Sequence, residues 1–237
     1  MDVNDSIVIT GISGRFAAAD SVDEFERCLY EGVNLVSESD RWPKDFFGLS
    51  NQIAFIKDLS KFDAQFFGIN DNDAELLDPQ IRILIEVIFE SICDAGESRD
   101  SVKGSKTGIY FASFYNEIDR NLRAEDIDYF NLRQTFLGWL SYAFDITGPC
   151  YMYETACSSS CTAIVEAFNA LKHGLINYAI ITTSNMNFSP SYGLIFQKLG
   201  LVSADGKCRF LDANASGYVK SEAVTSFILQ KQSTAKR

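Results

Sequence analysis

Cys157 is the residue whose type and setting point most directly to covalent chemistry. It stands in Tyr151-Met-Tyr-Glu-Thr-Ala-Cys157-Ser-Ser-Ser160, where a short extended run ends, the chain turns and a helical stretch begins. A cysteine in the first turn of a helix lies beside unpaired N–H groups and the positive end of the helix dipole, both of which favour the thiolate. The same amides can hold a developing oxyanion. The competing reading is a small buried hydrophobe, the fate of most free cysteines. A catalytic cysteine usually works with a base, and the chain has one histidine, His173. On a continuous helix His173 lies sixteen residues past Cys157, about 24 Å along the axis, out of reach of that thiol. It reads instead as a helix C-terminal residue before Gly174, facing the negative end of the dipole. A Cys–His hydrolase is thereby disfavoured.

Other clusters carry less. Gly11-Ile-Ser-Gly14 follows an extended run but matches neither a full dinucleotide fingerprint nor a phosphate-binding loop, and reads as a tight turn. Asp119, Glu125, Asp126 and Asp128 are interrupted by Leu122 and Ile127, so they read as a solvated face, not a metal site. The six cysteines (28, 93, 150, 157, 161 and 208) form no C-x-x-C pair. With a single histidine, a structural zinc site is disfavoured. Free thiols in a reducing compartment follow, hence a cytoplasmic location.

The elements that must position Cys157 are legible from periodicity. Ile7-Val8-Ile9, closed by Gly11, predicts a short buried strand. Ser21 to Gly32 predicts a helix with Ser21 as cap. Asp78-Pro79 opens the clearest helix, because aspartate caps and proline suits the first helical position. Ile81, Leu84, Ile85, Ile88, Phe89, Ile92 and Cys93 then form one wide apolar face up to Gly96. Thr107 to Ser113 predicts a strand, Asp126 to Phe144 a helix, and Cys150 to Glu154 a short strand. From Thr155 to Gly174 the sequence is rich in small residues and nearly free of charge, which predicts a helix buried on all sides. Tyr178 to Met186 and Gly217 to Gln230 predict two further strands. This alternation implies α/β layers with the Cys157 helix at the centre, and no linker divides the chain, so one unit is expected.

Composition sets the outer bounds. The 237 residues are 46% hydrophobic and 22% charged, ordinary globular values. A chain this size can bury roughly 70% of its surface. Mean hydropathy is −0.03, and no apolar run approaches the ~18 residues of a membrane span. The formal charge of −11 opposes binding to nucleic-acid phosphates and anionic lipid. The N-terminus lacks the basic region of a signal peptide.

Several blocks together resemble a known family. Glu154-Thr-Ala-Cys-Ser-Ser-Ser160 is similar to the D-T-A-C-S-S-S nucleophile motif of β-ketoacyl synthases. Ile9-Thr-Gly-Ile-Ser-Gly14, Phe62-Asp-Ala-Gln-Phe-Phe-Gly-Ile69 and Leu77-Asp-Pro-Gln-Ile-Arg-Ile-Leu-Ile-Glu86 resemble its earlier blocks in order and spacing. Leu140-Ser-Tyr142 with Gly148-Pro149, Leu199 to Ser203, Cys208 to Asp212 and Gly217 to Glu222 resemble its flanking segments. Asp40-Arg41-Trp42 and Lys57-Asp58-Leu59 resemble the animal-type fatty acid synthase branch, which is allied to polyketide synthases. Glu154 replaces the usual aspartate, Thr182-Thr183-Ser184 replace glycines, and Phe111-Ala-Ser113 lacks one.

The resemblance implies a thiolase-like α-β-α-β-α fold, of which this chain is the N-terminal half. It implies an acyltransferase with Cys157 as acyl acceptor, followed by decarboxylative condensation with malonyl on a carrier protein. Residues 1–237 are then one β-ketoacyl synthase N-terminal domain. No metal or bound cofactor is implied, because phosphopantetheine belongs to the acyl carrier protein partner. The substrates are acyl and malonyl thioesters. The family dimerises, which implies a homodimer through the strand about Ala179 to Met186. The family's two catalytic histidines, a lysine and a glycine-rich oxyanion segment lie beyond the segments matched here. The alternative is a non-catalytic half-domain that holds an acyl chain or serves as a dimerisation module.

Overall fold

The computed structural model describes residues 5–114, 133–203 and 205–236. In chain order its elements are β1 (Ile7–Phe16), α1 (Val22–Tyr30), β2 (Ser37–Glu38), β3 (Gln52–Ile53), α2 (Ala64–Phe67), α3 (Asp71–Leu76), α4 (Pro79–Asp94) and α5 (Arg99–Val102). There follow β4 (Thr107–Ser113), α6 (Arg133–Phe144), β5 (Cys150–Tyr153), α7 (Ser159–Lys172), β6 (Tyr178–Asn185), α8 (Ser191–Lys198) and β7 (Ala223–Lys231). Where the sequence reads as one unit, these residues gather into two. One combines the chain up to Arg15 with residues 58–184 and the stretch from Val224 onward; the other combines 16–57 with 185–223. Three of the four crossings fall at or next to strand ends, which is why no linker composition marks them. The acidic stretch Asp119 to Asp128 and the predicted helix start at Asp126 lie outside the described residues.

The first unit is built on a five-stranded sheet in the order β1-β7-β6-β4-β5. β4 runs parallel to β5, with Ile109 beside Cys150, and parallel to β6, with Ile109 beside Ile180. On one face, Tyr110, Ala112, Ala179, Ile181 and Leu229 pack against Ala163, Ala167 and Leu171 of α7. On the other face, Ser184 Oγ donates to Gln80 Oε1 of α4 at 3.0 Å, and Ser226 and Ser91 share a hydroxyl bond of 2.8 Å. The ring of Phe111 stacks on Phe136 of α6, 6.1 Å between centroids. α4 starts as its sequence requires: Asp78 Oδ1 accepts from Gln80 N at 2.7 Å and Pro79 takes the first turn. Nine of its sixteen residues are buried, more than one face, because it packs against both the sheet and α6.

Four expectations change. β1 runs through Gly11 to Phe16, so Gly11-Ile-Ser-Gly14 is strand, not turn. Its glycine is a contact requirement: a Cβ on Gly11 would lie 2.1 Å from Ser91 O of α4. The Cys157 helix is covered on one face only; Val165 is 55% and Phe168 42% exposed, because the described chain forms one large sheet and therefore supplies one apolar face. β6 sits between β7 and β4 with both edges paired, so the strand about Ala179 to Met186 is not an edge; the edges are β1 and β5. The last strand begins at Ala223, not Gly217; before it Tyr218 and Ser221 make only isolated bridges.

The second unit holds α1, the antiparallel β2–β3 pair and α8. Its centre is a buried ion pair. Glu222, with a fully buried side chain, accepts from both terminal nitrogens of Arg41, from Asn187 N at 2.7 Å and from Ile56 N at 3.0 Å. Arg41 also donates to Asn187 O at 2.9 Å and lies over the rings of Phe55 and Phe188. The carboxylate thus has the full set of donors that a buried charge needs. Among the described residues no helix is long and apolar enough to cross a membrane.

Candidate active site

The sheet delivers Cys157 by a short route. β5 ends at Tyr153, and residues Ala156 to Ser158 form a single 3-10 turn before α7 begins at Ser159. Ala156 has φ +54°, the left-handed region that non-glycine residues avoid. This reversal leaves Cys157 exposed between the strand end and the helix start. Cys93, Cys161 and Cys208 are exposed as well.

Hydroxyls hold the turn. Ser159, the buried residue of this stretch at 5% exposure, accepts from Thr155 N at 2.8 Å and donates to Ala156 O at 2.7 Å. One side chain therefore bonds the backbone on both sides of the strained residue. Ser158 Oγ donates to Thr155 O at 2.7 Å, and Thr162 Oγ1 donates to Ser158 O at 3.1 Å. Sequence reasoning counted these serines only as small helix residues. The available signal was their spacing: a hydroxyl three residues past Ala156 can reach back to its carbonyl.

The small residues of α7 have a packing reason. Ala163 and Ala167 let the helix lie close to β4 and β6 beside Tyr110 and Ile181. Tyr110 and Tyr153 stack nearly parallel, 6.3 Å between centroids. Burial pushes the Tyr110 phenol up to about 12, helped by Tyr153, Tyr151 and Glu166. Burial likewise pushes Tyr153 up to about 12, followed by the charges of Glu166 and Tyr151. Both phenols are thus neutral at neutral pH. His173 caps the far end of α7, and its Nδ1 lies 2.7 Å from Asn169 O. Because a carbonyl only accepts, Nδ1 carries the proton, and this ring serves the helix end as the sequence reading had it.

The hydroxyls of Thr182, Thr183 and Ser184 all find partners. Thr182 Oγ1 donates to Thr225 O at 2.9 Å, Thr183 meets the Thr225 hydroxyl at 2.9 Å, and Ser184 reaches Gln80. No group of three or more potential ligands able to hold a metal ion occurs among the described residues.

The chain as a whole is similar to known proteins. The family model for the β-ketoacyl synthase N-terminal domain matches residues 4–235. A fatty acid synthase of Anser anser anser is 36% identical over 240 residues, covering 98% of this chain and 68% of that relative. The polyketide synthase PksL of Bacillus subtilis is 31% identical over 255 residues, and there the chain spans only 6% of the relative's length. Among solved structures, the ketosynthase from module 6 of the bacillaene synthase of Bacillus subtilis superposes with a TM-score of 0.89 at 28% identity, covering 97% of this chain and 40% of that one. The oxazolomycin ketosynthase domain OzmH KS7 of Streptomyces albus gives 0.87 at 30% identity, with 43% of its length covered. The thiolase-like architecture and the β-ketoacyl synthase motifs therefore agree along the whole chain: it belongs to the β-ketoacyl synthase family of fatty acid and polyketide synthases, and spans the N-terminal domain.

Proposed function

We propose that Cys157 is the acyl-accepting nucleophile of a β-ketoacyl synthase, and that acyl loading is the step this chain's own residues serve. Its thiolate attacks the carbonyl of an acyl thioester, an oxyanion forms, and the thiol of the donor leaves, so that one thioester replaces another. The observation that carries this reading is the exposed Cys157 on a strained, hydroxyl-braced turn at the start of α7. The Cys157 amide is one oxyanion donor; losing a second typically costs about 3–4 kcal/mol of barrier, so loading by the chain alone is slow.

The second step joins the loaded acyl group to malonyl held on the phosphopantetheine arm of an acyl carrier protein, with loss of CO₂. It needs donors at the malonyl thioester carbonyl. His173 stands at the opposite end of α7, about 21 Å away along a fourteen-residue helix, and does not supply them. The family draws them from histidines outside the matched domain. No resident metal or redox cofactor enters either step.

The test is incubation of the purified chain with octanoyl- and malonyl-coenzyme A, followed by peptide mass mapping and CO₂ measurement. An octanoyl adduct on the Cys157 peptide without CO₂ release is expected. An adduct elsewhere, or none, overturns the assignment. CO₂ release abolished by Cys157→Ala would show that the chain performs decarboxylation as well.

A second role, self-association, is favoured by one observation. Among the described residues β5 is an edge strand paired with β4 alone, and Tyr151 on it is 50% exposed. An open edge is a template for pairing with a second copy.

A further inference from the structure

α1 is capped as its sequence dictates, with Ser21 Oγ accepting from Glu24 N at 3.1 Å. A capped amphipathic helix on a globular unit normally buries its apolar stripe. Here none of the nine residues is buried. Val22, Phe25 and Leu29 fall at i, i+3 and i+7, one side of the helix. The inner margin of this stripe is anchored, because Phe25 stacks on Phe16 with centroids 4.3 Å apart and planes 11° apart. The outer margin is bare: Leu29 is 63% exposed, Tyr30 86%, and Val33 just beyond the helix 46%. Between the margins runs an open groove lined by Val22, Phe25, Glu26, Leu29 and Tyr30.

The helix that lines the groove is acidic. Residues 20–31 carry Asp20, Asp23, Glu24, Glu26 and Glu31 against a single base, Arg27. Glu24 is already committed, accepting from Asp20 N at 2.9 Å and lying 3.8 Å from Arg27. Glu26 lines the groove itself, and Asp23, three residues before it, falls on the same side of α1, so the rim they form is acidic. We propose that this face docks the apolar side of a basic amphipathic helix belonging to a partner protein or domain. Its leucine-type residues would fill the groove beside Leu29 and Tyr30, and its lysines or arginines would face Glu26 and Asp23. The same rim disfavours the two other occupants: an anionic lipid surface is repelled, and a second copy would oppose like charges.

The test uses fluorescence anisotropy with a labelled peptide of about five helical turns, built of leucine and lysine at helical spacing, and a leucine–glutamate counterpart. The lysine peptide is expected to bind in the micromolar range, weaken as salt rises, and outcompete the glutamate peptide. Because the chain carries −11 overall, plain charge attraction must be separated from docking. The paired change Leu29→Asp with Tyr30→Asp makes the site more negative while removing its apolar lining. Binding at least tenfold weaker supports docking; binding unchanged or tighter overturns it. Glu26→Lys should weaken binding comparably. Both altered apolar residues are exposed, so circular dichroism should be unchanged. If the protein alone sediments as an oligomer that Leu29→Asp dissociates, the face belongs to a second copy and the proposal fails.

Discussion

At the scale of single residues, Ser159 shows how a strained conformation is maintained. A non-glycine residue in the left-handed region costs about 1–2 kcal/mol, and each of the two Ser159 hydrogen bonds returns about 1 kcal/mol. Ser159→Ala should therefore lower stability by about 1–3 kcal/mol and slow alkylation of Cys157 severalfold, while Ser159→Thr, which keeps the hydroxyl, recovers part of both. Denaturant titration and iodoacetamide kinetics on the same samples would check this. The cysteines themselves should separate in reactivity, with Cys157 labelled first by peptide mapping. Burial pushes the Cys150 thiol up, and burial with the charge of Glu90 pushes up Cys93, so both should lag. Preferential labelling of Cys161 would count against the motif assignment. In the second unit, Glu222→Ala strands Arg41 without its carboxylate, and a loss of about 3–5 kcal/mol is expected on thermal unfolding. The strand end, turn and helix start that carry Cys157 were legible because their signals are local. The Ser159 brace was not, because its partners are backbone atoms whose positions depend on the sign of one φ angle. The pairing of Arg41 with Glu222 joins segments 181 residues apart, which no spacing rule reaches.

At the scale of elements, α7 carries the clearest contrast between its two sides. Ala163 and Ala167 have no exposed surface and touch the sheet. Ala163→Leu should cost about 1–3 kcal/mol by overpacking. Val165→Ser, on the uncovered side, should stay within about 0.5 kcal/mol, and equilibrium urea unfolding distinguishes the two. The helix itself was predictable from its small apolar residues, as were α4 from Asp78-Pro79 and β4 from Thr107 to Ser113. Which side of α7 meets the sheet was not, because an apolar sequence all round carries no directional signal. The order of strands was equally hidden. Hydrophobicity marks β6 as buried, but only non-local pairing makes it a central strand and leaves β5 at the edge.

At the scale of the whole molecule, alkaline pH should weaken the sheet unit. Tyr110 and Tyr153 ionise near 12 when folded against about 10 in the unfolded chain. A raised folded value means the fold favours the neutral phenol. That contribution is complete below pH 10 and disappears as pH rises through 12. Urea midpoints measured at rising pH should fall across this window, alongside a delayed phenolate absorbance. Self-association through the β5 edge predicts a dimer at micromolar concentration in sedimentation, and a monomer after Tyr151→Lys, because a charge on an edge strand blocks pairing. The pairing of β1 with β7 sets an order of assembly. Asp5 accepts from Ser233 N at 3.1 Å, Gln232 N donates to Ser6 O at 2.8 Å, and Thr10 bonds Gln230 across 220 residues. Of the five strands in this sheet, β1 is made first and its neighbour β7 last. At about 5–20 residues per second, β1 waits roughly 11–44 s for that partner during synthesis. Through that interval its Ile9 and Ile12, exposed even in the finished fold, present a sticky nascent strand. The β4–β5–β6 block can assemble first, so β1 is the strand of this sheet that waits longest for its neighbour.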